Sequence, residues 1–167
     1  MDSIVYSTDT LAVIASVAIA IAGFSGVVVA LTGRTTDTYG EVEKLNFRIL
    51  LQVSAFALLF ALVPLILHRA FEAPQAWRIA MALYGMAHLL DAGFFVVGTW
   101  GSTTLSRLQR TAPRAGITIA AIQLLLVVIA DTTVIEVAYL VVLIWHLAIA
   151  GMGFANLVYA FQNVDRE

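Results

Sequence analysis

Three residues in the middle of an apolar stretch have the types and spacing for proton chemistry. Tyr84, His88 and Asp91 lie between Trp77 and Trp100, four and then three residues apart, so on a helix they share one stripe. An acid and an imidazole one turn apart form a donor and acceptor pair. In an apolar setting desolvation disfavours the charged form of both, which brings the neutral and ionised pairs close in energy and lets a proton pass between them at small cost. A carboxylate at the centre of a membrane-spanning helix costs roughly 3 kcal/mol even on the lenient insertion scale, so a bundle that keeps one turns it inward, toward a partner or water. Asp91 is therefore the first candidate site residue.

Two further polar residues extend this set. His146 falls at nearly the same depth as His88, about 15 and 16 Å from the same boundary at the helical rise, and Gln123 lies at similar height on the segment between them. The set Asp91, His88, His146, Gln123 and Tyr84 reads as a path for a proton or small cation. The plainer reading is that these side chains hydrogen-bond across helices and hold them in register, at about 0.6 kcal/mol for each bond. A third reading is a haem b site, with His88 and His146 as axial ligands and Phe94, Phe95 and Trp145 around the porphyrin. Copper held by a histidine with Met81, Met86 or Met152 is weaker, because methionine in an apolar helix is usually filler. No resident cofactor or metal is expected.

Enzyme chemistry finds little support. The 167 residues contain no H-E-x-x-H, no G-x-S-x-G and no P-loop. Ser25, between Gly23 and Gly26, suggests small-residue packing more than a nucleophile. Without cysteine, disulfides, thiolate metal sites and cysteine catalysis are excluded.

The elements that must position these residues follow from composition. At 61% hydrophobic and 12% charged, with a mean hydropathy of +0.94, the chain lies far outside soluble domains, which run about 45–50% apolar and about 25% charged. A net charge of −2 with nine Lys and Arg leaves no basic stripe for nucleic acid. The N-terminus lacks the basic region of a signal peptide, so the first helix is expected to be retained.

Five spans are predicted, over about 10–32, 45–67, 76–100, 113–130 and 134–161, forming one all-α transmembrane domain. Asp9 is expected to cap the first. Thr38 with Glu41 and Thr133 with Glu136 read as capping boxes for the second and fifth. Pro64 should kink the second, Gln52 extends its polar side, and Pro74 suits the first turn of the third. Residues 101–115 read as a short interfacial helix carrying Arg107, Arg110 and Arg114. Ala18, Ala22, Gly26 and Ala30 recur every fourth residue and, with Gly151 on the last span, form smooth stripes suited to close helix packing or to a subunit interface.

Seven of the nine basic residues fall on one side of a five-span chain, Arg69 and Arg78 being the exceptions. The positive-inside rule then sets the C-terminus in the cytoplasm and the N-terminus outside, in a membrane of the bacterial cytoplasmic (inner) type. So small a subunit offers little interior, and a pore would form between copies. The resulting expectation is a homo-oligomeric bundle in the lipid bilayer that conducts or transports protons or small cations. The competing expectation is an accessory or scaffolding subunit that binds another membrane protein and conducts nothing.

Overall fold

The computed structural model describes the backbone of residues 2–31, 41–98 and 107–162, and within these the side chains of residues 8–28, 44–98 and 111–159. Five helices occupy them: α1 (Asp2–Leu31), α2 (Glu41–Leu67), α3 (Ala73–Gly98), α4 (Arg107–Ile129) and α5 (Thr132–Gln162). All five are long and apolar enough to cross a membrane. Phe94, Val97 and Val128 are 76%, 74% and 78% exposed, which suits lipid rather than water. The architecture is all-helical, as the composition requires. The expected anchor Trp100, the Thr38 cap and the side chain of Ala30 lie outside the described residues.

Helix ends depart from expectation in three places, for related reasons. α1 begins at Asp2, so Asp9 is an exposed interior residue and not a cap; hydropathy marks the ends of an apolar run, whereas a helix, once nucleated, propagates beyond them. α4 is continuous from Arg107 through Pro113, so residues 107–115 are the first turns of α4 and not a separate interfacial helix, while residues 101–106 of that expectation lie outside the described residues. Pro113 removes one backbone donor there without ending the helix. The α5 cap is Asp131, whose Oδ1 accepts from the Val134 amide at 2.9 Å, while Thr133 lies inside the helix. A carboxylate three residues before an orphan N–H is an efficient N-cap, and Asp131 reaches it before Thr133 can.

Other ends agree. Pro74 is in the first turn of α3, whose first bond runs from the Ala76 amide to the Glu72 carbonyl at 2.9 Å. α2 runs on through Pro64 to Leu67 and closes in a turn from His68 to Ala70.

The chain divides into two compact units, residues 1–62 with 143–167, and residues 63–142. In the first, Leu50, Ser54, Ala57 and Ala61 form a buried stripe on α2, and Leu143, His146 and Ala150 one on α5. These helices are antiparallel: Leu50 lies against Gly153, where an added Cβ would come 3.2 Å from the Leu50 Cβ, and Phe56 stacks on His146. On α1, Leu11, Ile14, Ala15, Ala18 and Ser25 are buried, at spacings that place them on one face.

In the second unit α3 and α4 pack antiparallel. Arg78 reaches the carbonyls of Val127 and Ala130, Gly85 meets Gln123 and Leu124, and Ala92 meets Gly116. The α3 seam Arg78, Met81, Gly85, His88, Ala92 advances by three and four residues in turn, the spacing of knobs-into-holes packing. Its small residues let the α4 backbone approach closely.

Candidate functional site

The second unit holds the polar centre. Both His88 and Gln123 are buried, and His88 Nδ1 lies 3.0 Å from Gln123 Oε1. The Gln123 amide nitrogen donates in turn to the Met81 Sδ at 3.7 Å. The far side of the imidazole faces α4, where a Cβ added to Gly116 would stand 3.2 Å from Nε2 and 3.3 Å from the Ala92 Cβ. Glycine at 116 is therefore what makes room for the ring. Asp91, half-buried one turn beyond His88, is within electrostatic reach of it.

Above His88 the stripe continues in rings. Tyr84, fully buried, stacks on His88 with centroids 6.2 Å apart. Tyr139 of α5 packs edge-on against Tyr84 at 5.2 Å and against Trp77 at 5.5 Å. Trp77 meets His68 at 5.5 Å. Such tilted contacts contribute about 0.5–1.5 kcal/mol each beyond burial. His68 Nδ1 lies 2.6 Å from the Pro64 carbonyl, which can only accept, so Nδ1 carries the hydrogen. Its Nε2 is buried and finds no hydrogen-bond partner among the described residues.

Arg78 fixes the neighbouring end of the pair. Its guanidinium donates to the Val127 carbonyl and, at 2.8 Å, to the Ala130 carbonyl. Val127 lies in the last turn of α4 and Ala130 directly follows it, where carbonyls have no further helix to bond them and carry the negative end of the helix dipole.

The structure thus brings together Tyr84, His88, Asp91 and Gln123. His146 belongs to the other unit, buried there against Phe56 with rings 6.1 Å apart and 10° from parallel. In the same unit the buried Ser54 hydroxyl has no partner among the described residues. Of the small-residue positions, Ala18 is buried, Ala22 half-buried, and an added Cβ at Gly26 or Gly151 would meet no neighbouring element within 4 Å among the described residues. Among the described glycines, an added Cβ would crowd a neighbouring helix at Gly85, Gly116 and Gly153. Spacing and hydropathy do not single out these three glycines, the Met81 contact or the Arg78 clamp. The signal available for the α3 glycine and Met81 was their seven-residue seam with His88.

Haem ligation does not fit His88. An axial histidine directs a ring nitrogen at iron across an open porphyrin plane, whereas here Nδ1 meets Gln123 and Nε2 faces the α4 backbone beside Ala92. No cluster of three His, Asp or Glu side chains able to hold a metal ion occurs among the described residues. Comparison with known proteins finds no matching family model, no curated relative and no similar solved structure.

Proposed function

We propose that this chain is a small integral membrane protein that moves protons across the bilayer as a homo-oligomer, with Asp91 and His88 as the exchanging groups. The observation that carries this reading is a buried imidazole bonded to Gln123 at 3.0 Å, with a half-buried carboxyl one turn along the same helix. When a protonated Asp91 gives up its hydrogen, the O–H bond breaks, an N–H bond forms on the ring, and a carboxylate and an imidazolium result. Their mutual attraction offsets part of the desolvation of each. Groups that both donate and accept suit protons better than metal cations, which need several converging oxygen ligands.

Homo-oligomerisation is supported by the partial exposure of Asp91. An acid facing acyl chains is costly, and a neighbouring copy that covers it, or water held between copies, removes that cost. The proposed orientation has the N-terminus outside and the C-terminus in the cytoplasm, from the distribution of basic residues. In liposomes with an imposed pH gradient, the purified protein should dissipate the gradient, and Asp91→Asn should slow this by about tenfold or more. Equal rates in the two proteins would reject the reading.

A second reading is favoured by the open faces at Gly26 and Gly151. A scaffold would offer those faces to another membrane protein and leave the His88 site as a structural bond. It predicts no gradient dissipation by either protein.

A further inference from the structure

The Gln123 amide can be oriented by chemistry alone. The Met81 sulfur is a thioether, which accepts hydrogen bonds and has none to give. The Gln123 atom 3.7 Å from it must therefore be the NH2 group, and the atom 3.0 Å from His88 must be the carbonyl oxygen. An oxygen with no hydrogen requires one on His88 Nδ1. The neutral ring then has its lone pair on Nε2, on the side that Gly116 leaves clear of a side chain. Reversing the amide would set an acceptor against sulfur and a donor against Nδ1, and would move the ring hydrogen to Nε2.

We infer that Met81 and Gln123 are positioning residues that lock His88 in the Nδ1–H tautomer, making Nε2 the atom that takes up the proton. Met81 orients the amide, the amide orients the ring hydrogen, and Gly116 leaves room for the Nε2 edge of the ring. A tautomer locked in this way loses no time or energy exchanging hydrogens between its own nitrogens before each transfer. The inference deepens the proton-transfer reading and rests on it for its purpose, but the tautomer itself can be observed independently.

The test is nitrogen NMR on protein labelled with 15N-histidine in lipid bilayers, at a pH where the His88 ring is neutral. The signals are assigned by their loss in His88→Gln. The wild type should give one His88 species, protonated at Nδ1 and bare at Nε2. Gln123→Leu removes the acceptor, and Met81→Leu frees the amide to turn over, so each should convert the single species into a mixture containing the Nε2–H form. Gln123→Glu keeps an acceptor oxygen and should restore the single species, which a loss of packing alone would not explain. A wild-type ring protonated at Nε2, or a single unchanged species in both leucine variants, overturns the inference. A locked tautomer in a protein that dissipates no gradient upholds the inference and removes the transport reading.

Discussion

At the scale of single residues, His88 is held by what surrounds it more than by its own helix. Gln123 and Met81 fix one edge, and the missing side chain at Gly116 admits the other. Arg78 is the other residue whose geometry yields a magnitude. Its fork satisfies two carbonyls at the end of α4, and hydrogen bonds from a charged group contribute about 1.5–3 kcal/mol. Arg78→Ala should lower stability by about that amount in a denaturation series in detergent. Arg78→Lys should recover only part of it, because a single ammonium cannot reproduce the planar fork. An Arg78→Ala protein as stable as the wild type would show that water or lipid headgroups replace the clamp without loss. Much of this site is legible in the sequence: the spacing of Tyr84, His88 and Asp91 puts them on one stripe whatever the helix packs against, and depth alone suggests Gln123 as a partner. The link to Met81 was hidden, since it depends on the register of α3 against α4, which side-chain packing sets.

At the scale of elements, each helix core was readable because a run of about twenty apolar residues has one solution in lipid. The ends were not, because hydropathy reports the membrane boundary and says nothing about where the helix itself stops. α1 and α4 both extend beyond the expected boundary, and the α5 cap falls on Asp131 in place of Thr133. The packing of small residues makes a related point. The four-residue stripe on α1 is the more conspicuous pattern, yet the close approach of α3 to α4 uses Gly85 and Gly116. Spacing shows which small residues share a face but not which face is used. The open positions on α1 and α5 carry their own prediction. At Gly26 and Gly151 an added Cβ meets nothing within 4 Å on neighbouring elements among the described residues, so Gly26→Ile and Gly151→Ile should each leave detergent stability within about 0.5 kcal/mol of the wild type. If copies associate through these faces, both should lower the mass of the assembled species in analytical ultracentrifugation. An unchanged mass would remove these faces as the interface.

At the scale of the whole molecule, the proposed orientation and transport are what would give the polar centre a purpose. The native chain contains no cysteine, so single cysteines report topology without background. With the N-terminus outside, Ser3→Cys in intact cells should react with a membrane-impermeant maleimide, and Glu167→Cys should react only after the membrane is opened. The reverse pattern would invert the proposed orientation, and labelling of both from outside would be incompatible with five spans.

The central claim is that the Asp91 carboxyl exchanges protons that cross the bilayer, and its most direct test is the rate at which an internal pH dye responds in proteoliposomes under a potassium diffusion potential. Rapid acidification or alkalinisation is expected with the wild type, according to the sign of the potential, with a rate about tenfold or more lower for Asp91→Asn and substantial recovery for Asp91→Glu. Identical traces for wild type and Asp91→Asn, or a wild-type trace no different from empty liposomes, would contradict it.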